Sequence, residues 1–151
     1  MGYKTFPESA RVIIDTKLSE GSTLEEIRRD ELAFQQEVLE MKKDIESRAP
    51  RDKTIFFQRG VPDSLAYYRF IGADTRSILD ICRGSSYKAV FILEPIAYQQ
   101  DHARTEGEEG GKRIFELLKQ AYTELGMRVV VIPRASIEER AGIILSEVGK
   151  G

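Results

Sequence analysis

Apolar residues follow two spacings along this chain, and each change of spacing marks an element. Unbroken runs at 54–57, 87–93 and 127–132 read as strands buried on both faces, with Val90, Phe91, Ile92 and Leu93 the clearest. Residues 3–6 form a shorter strand ended by Pro7. Elsewhere apolar positions recur every three or four residues, as on one side of a helix. Ala10, Ile13, Ile14 and Leu18 predict a helix over 8–18, stopped by Gly21. Leu24, Ile27, Leu32, Phe34, Val38, Leu39 and Met41 predict a long one over about 24–48. Ser22 or Thr23 caps it, with Glu25 or Glu26 reaching back. Within it, Glu40, Lys42, Lys43, Asp44 and Glu46 read as a solvated face. Further helices are predicted over 63–70, 75–83 and 112–125, and from a Ser136 cap to about 148. Residues 95–111 are a polar loop of a length that lids and binding loops have. Strands alternating with helices predict an α/β fold with a mostly parallel sheet.

Composition narrows the class. The chain has 151 residues, enough for a single domain with its own core. With 41% hydrophobic and 32% charged residues it is globular. A net charge of −2 and the absence of a basic stripe argue against nucleic acid and anionic membrane as partners. No apolar run has the length of a membrane span, and no basic-then-apolar leader opens the sequence. One cysteine, Cys82, excludes an internal disulfide and fits a reducing, cytoplasmic setting. With one histidine, His102, beside it, no metal-ligand cluster is expected. Cys82 itself reads as a buried structural thiol and His102 as a solvated loop residue.

Candidate chemistry begins where the strand at 54–57 ends. Gln58-Arg59-Gly60-Val61-Pro62-Asp63 puts a polar pair and a tight turn at the carboxyl end of a strand, just before a helix. Open α/β sheets bind ligands at that end. Other short blocks fall in a fixed order around it. They are Tyr3-Lys4-Thr5-Phe6-Pro7-Glu8-Ser9-Ala10-Arg11, then Leu93-Glu94-Pro95, then Tyr98-Gln99-Gln100-Asp101 with Arg104 and Glu106. Pro133-Arg134-Ala135-Ser136-Ile137-Glu138-Glu139-Arg140 closes the series.

This order resembles the AAA-type P-loop ATPase/kinase domain of ribosylnicotinamide kinases of the NadR type and related ATPases, over nearly the whole chain. The resemblance implies a three-layer α/β/α, P-loop NTPase-like fold that binds ATP with Mg²⁺ and acts as an ATPase or small-molecule kinase. Such domains open with a strand, a Walker A loop and a helix, and only then reach a segment like Gly2–Glu8. On that comparison, residues 1–151 form one truncated domain lacking roughly its first 20–25 residues, the central strand and phosphate loop included. Glu106-Gly107-Glu108-Glu109-Gly110-Gly111-Lys112-Arg113 imitates a phosphate loop only superficially. A glutamate stands at its first glycine position and an arginine at its hydroxyl position. A flexible lid hinge is the expectation there.

The resemblance also assigns roles. Glu8 faces the phosphoryl acceptor as a general base, or serves only as a charge at a helix N-terminus. Arg59 holds phosphate or substrate oxygens, or is a structural ion-pair partner. Arg104 closes a lid over the phosphates, or is an ordinary loop charge. Arg134 packs near the adenine, or is solvated. Arg11, Gln58, Asp63 and Asp101 complete the nucleotide and substrate contacts. Gln58 departs from the pattern, which has an acid there; an amide neither acts as a base nor binds Mg²⁺ well. With no Walker A loop as well, the expected activity is impaired or absent, and the alternative is a non-catalytic binding protein on the same scaffold. A missing central strand would also leave the strands at 54–57 and 87–93 about 10 Å apart, twice the normal spacing. The two strands then close up and pair directly, or another chain fills the slot, as in a homodimer, or an incomplete chain folds poorly. The expected partner is a nucleotide or a small phosphorylated molecule.

Overall fold

A computed structural model describes residues 2–95 and 107–150. Along them run β1 (Lys4–Phe6), α1 (Ser9–Ser19), α2 (Leu24–Ile27), α3 (Glu31–Arg48), β2 (Ile55–Phe57) and α4 (Asp63–Phe70). They continue with α5 (Arg76–Arg83), β3 (Val90–Leu93), α6 (Gly107–Glu124), β4 (Val129–Ile132) and α7 (Ile137–Gly149). The protein is thus a mixed α/β chain whose strands and helices alternate. Among the described residues no helix is long and apolar enough to cross a membrane.

Local chemistry explains where the elements begin. Ser136 accepts the Glu139 N–H at 3.1 Å while the Glu139 carboxylate accepts the Ser136 N–H at 3.0 Å, a full capping box at the start of α7. Thr23 accepts the Glu26 N–H at 3.2 Å and starts α2. The predicted long helix is in fact two. Asp30 accepts the Ala33 N–H at 3.0 Å and starts α3 afresh, because an aspartate favours a cap over a helix interior. Arg28 bridges the break with two 2.9 Å bonds to Glu31. α6 in turn begins at Gly107, five residues before the predicted start at Lys112, so that the Gly-Lys segment is helix rather than loop. Glu108 and Glu109 lie in its first turn, where the helix dipole favours them.

The sheet differs from expectation. β1 and β2 pair in parallel, with Lys4 opposite Ile55 and Phe6 opposite Phe57. β3 and β4 pair in parallel, from Val90 opposite Val129 to Leu93 opposite Ile132. Among the described residues no ladder joins β2 to β3, so the two strands have not closed up and paired. A run of aromatic rings leads from the β1–β2 pair to the segment before β3 and on to α6. Phe6 stacks on Phe57 at 5.4 Å, Phe57 meets Tyr87 edge-on at 6.4 Å, and Tyr87 meets Tyr122 at 6.3 Å.

Two cores hold the helices. Ile13, Ile14, Ile27, Phe34 and Val38 cluster among α1, α2 and α3. Leu65, Tyr68, Ile78, Cys82, Leu117 and Ala121 form the larger core, which reaches β3 through Ile92. Cys82 is fully buried, and burial pushes its thiol up to about 11. The apolar strands are covered less than their composition predicts: Ile92 is buried, but Leu93 is 41% and Val131 40% exposed.

Candidate functional site

The site is built on the turn between β2 and α4. The Gln58 N–H donates to the Phe6 carbonyl at 2.9 Å and so extends the β1–β2 ladder by one rung. The chain then turns through Arg59, whose φ of 74° is left-handed, a conformation costing a non-glycine residue about 1–2 kcal/mol. Gly60 follows because nothing larger fits. A Cβ there would lie 2.6 Å from the Tyr87 hydroxyl and 2.9 Å from that of Tyr122. Asp63 locks the turn: its carboxylate accepts the Gly60 N–H at 3.1 Å, the Arg59 guanidinium at 3.3 Å, and the hydroxyl of Tyr122.

Helix α3 supplies a second layer. The Tyr87 hydroxyl donates to Glu46 at 2.6 Å, and the Val61 N–H donates to Glu46 at 2.9 Å and to the Tyr87 oxygen at 3.1 Å. Burial raises the pKa of Glu46, against the pull of its bonds to Tyr87 and Val61. Burial also raises Tyr87 and Tyr122 far above the usual phenol range, helped by Glu46 and Asp63 respectively. Lys42 lies one turn before Glu46 and is 3% exposed. Its ammonium donates to the Ser64 hydroxyl at 3.3 Å, and desolvation lowers its pKa against the raising effect of Asp63.

These groups line a cavity of about 1720 Å³ that reaches both strand pairs. The residues just past the carboxyl ends of all four strands face it: Glu8 after β1, Gln58 and Arg59 after β2, Glu94 after β3 and Arg134 after β4. Basic side chains outnumber acidic ones in the lining, against the chain's overall negative charge. The interior wall therefore suits an anionic ligand.

Six of the sequence-predicted residues meet in this cavity: Glu8, Arg11, Gln58, Arg59, Asp63 and Arg134. Asp101 and Arg104 lie outside the described residues, as does His102. Glu8 caps α1 by position but makes no side-chain capping bond. Arg134 is exposed, and its N–H lies 3.4 Å from Glu94. Asp63 is 4% exposed with both oxygens engaged by the chain itself. Within the charged stretch at 40–46, Glu40 and Asp44 are exposed as expected, but Lys42 and Glu46 are not. Lys42 is buried and Glu46 half-buried, because α3 turns this side toward α4 and the cavity. The missed signal was spacing: Gln35, Val38, Lys42 and Glu46 follow one another at three- and four-residue steps, on the same stripe.

Among the described residues no group of three or more His, Cys, Asp or Glu side chains could hold a metal. With Asp63 committed to three protein donors and an amide at position 58, the described residues do not fit a Mg²⁺ site. They do fit a phosphate-bearing molecule. Arg11, Lys42, Arg59 and Arg134 stand on the cavity wall, as does Arg140, whose buried Nε has no hydrogen-bond partner among the described residues.

No curated protein and no solved structure matches the chain. A family model does: the one described as AAA domain matches residues 1–140. With its α/β architecture and its basic cavity at the strand ends, the chain belongs to the AAA domain family, a class of P-loop-type nucleotide-binding domains.

Proposed function

We propose that the chain binds a nucleotide or small phosphorylated molecule in the cavity between its two strand pairs, as the acceptor side of a phosphotransfer domain. One observation carries this reading: the residues just past all four strands converge on one large cavity with a basic lining. Arg59 and Arg11 hold phosphate oxygens, Arg59 through its planar fork. Glu8, unengaged as a cap, faces the acceptor and takes its proton. Arg134 borders the base, while Asp101 contacts the nucleotide and Arg104 its phosphates. Asp63 acts through others, holding Arg59 and the Gly60 turn in place.

ATP with Mg²⁺ is the reactant this family reading names, and a phosphate loop would cradle it. The sequence contains no Gly-x-x-x-x-Gly-Lys-Ser/Thr run to supply one. Such a loop, supplied with its strand by another chain, would fit between β2 and β3. Among the described residues each of these strands is paired on one side only, and both line the cavity. The same unpaired edges fit a strand from a second copy. The closer kinship, to ribosylnicotinamide kinases, is supported by motif order. A second reading, a non-catalytic binding protein, is favoured by the engaged carboxylate of Asp63 and the amide at position 58.

Calorimetric titration of residues 1–151 with Mg-ATP, alongside a hydrolysis assay, tests the reading. The expected result is saturable binding, weakened about tenfold in Arg59→Ala, an effect of ~1.4 kcal/mol. Turnover is expected below the ~1 s⁻¹ floor of typical kinases. Absence of binding by ATP and by ADP would contradict the proposal.

A further inference from the structure

Lys42 has no partner adequate to its position. It is 3% exposed, yet among the described residues its one hydrogen bond is a 3.3 Å contact with a neutral hydroxyl. An ammonium carries three donors and a full charge, and buried charges are normally paired. The carboxylates that face it are Asp63, Glu46 and Glu8, with Arg59 as an opposing cation. None of the three carboxylates forms an ion pair with it, and two are engaged elsewhere. Asp63 is taken by Gly60, Arg59 and Tyr122, and Glu46 by Tyr87 and Val61. The surplus donor lines the cavity. Arg140, on α7, also lines the cavity, and its buried Nε has no hydrogen-bond partner among the described residues.

Two simpler roles fail. Lys42 is not a surface lysine whose stem is covered, since the whole residue is enclosed. Nor do Lys42 and Ser64 form a nucleophile and its base, because Ser64 is fully buried and does not line the cavity.

We propose that Lys42 is the inner wall of an oxyanion subsite that takes a phosphate group of a small ligand. Ser64 holds the ammonium in place, Arg59 closes the site from the β2 turn, and the bound phosphate supplies the missing counter-charge. A compact ammonium suits phosphate as a point charge. The proposal deepens the nucleotide reading and rests on it for the class of ligand.

Inorganic phosphate is the probe, with acetate as the second arm. Thermal melting and calorimetry are run on the wild-type chain, Lys42→Met and Lys42→Arg. Phosphate is expected to raise the melting temperature of the wild type, and acetate is not. Lys42→Met is expected to lose at least tenfold in phosphate affinity while melting no lower than wild type without phosphate, and Lys42→Arg to retain binding. Equal affinity in wild type and Lys42→Met, or no response of the wild type, overturns the subsite. So does a Lys42→Met chain that fails to fold, since the ammonium would then be structural. Equal stabilisation by acetate overturns the phosphate assignment. Mg-ATP binding with no phosphate response would sink this inference alone. A Lys42-dependent phosphate response without nucleotide binding would sink the nucleotide reading alone.

Discussion

At the residue scale, the site depends on a turn that only one sequence order satisfies. Gly60 must lack a Cβ because two tyrosine hydroxyls stand against it. Gly60→Ala should therefore displace Tyr87 or Tyr122 and lower stability by about 1–3 kcal/mol, since a buried bond to Glu46 or Asp63 is lost with either. Denaturant unfolding measures this, and an unchanged midpoint would contradict the packing described. The buried charges set a pH dependence. Lys42 titrates lower in the folded chain than unfolded, so between its lowered value and the ordinary lysine pKa the unfolded chain binds the extra proton. Its contribution is full above the ordinary lysine pKa and is lost as pH falls through its lowered value. Glu46 titrates higher than normal, so its contribution is full below the ordinary glutamate pKa and is lost as pH rises through its raised one. Cys82, Tyr87 and Tyr122, raised by burial, act in the opposite sense above their ordinary values, so the Lys42 share is read as a difference: below the ordinary lysine pKa, stability should rise less steeply with pH, or fall more steeply, in Lys42→Met than in wild type. Parallel slopes in the two proteins would remove Lys42 from this account.

At the scale of elements, backbone alternation gives each strand a used and an unused edge. Gln58, Val90 and Glu94 donate into existing ladders at 2.8–2.9 Å. In a parallel pair the residues between them point the other way. The amides of Phe57, Phe91 and Leu93 thus face away from the paired strands. Amide hydrogen exchange should find these three fast and Gln58, Val90 and Glu94 slow. Protection that appears at Phe57 and Phe91 only as concentration rises would mark strand exchange between copies; uniform protection in the dilute monomer would show that the edges are already paired. Element type was largely legible in the sequence. The helix Asp63–Phe70 was predicted to the residue, and Ser136 was identified as a cap. The break at Asp30 was not, because a long amphipathic pattern conceals a single capping side chain.

At the scale of the whole molecule, local pattern could not say which strands pair. β1 with β2 and β3 with β4 are contacts between residues about forty to fifty positions apart, and nothing in either run of apolar residues names its partner. The candidate site was legible in part. The turn at Gln58–Asp63 and the flanking Glu8, Arg11 and Arg134 converge on one cavity, as motif order implied. Lys42 and Glu46 were hidden among exposed charges on the same helix, and only the packing of α3 on α4 separates them. The central claim is that this cavity is a phosphate-ligand site at the strand ends of a nucleotide-binding domain. Nuclear magnetic resonance shift mapping of residues 1–151 during a nucleotide titration tests it most directly. The account predicts saturable shifts concentrated at Glu8, Arg11, Gln58–Gly60 and Arg134; no shifts at millimolar nucleotide, or shifts confined to surfaces away from the cavity, would contradict it.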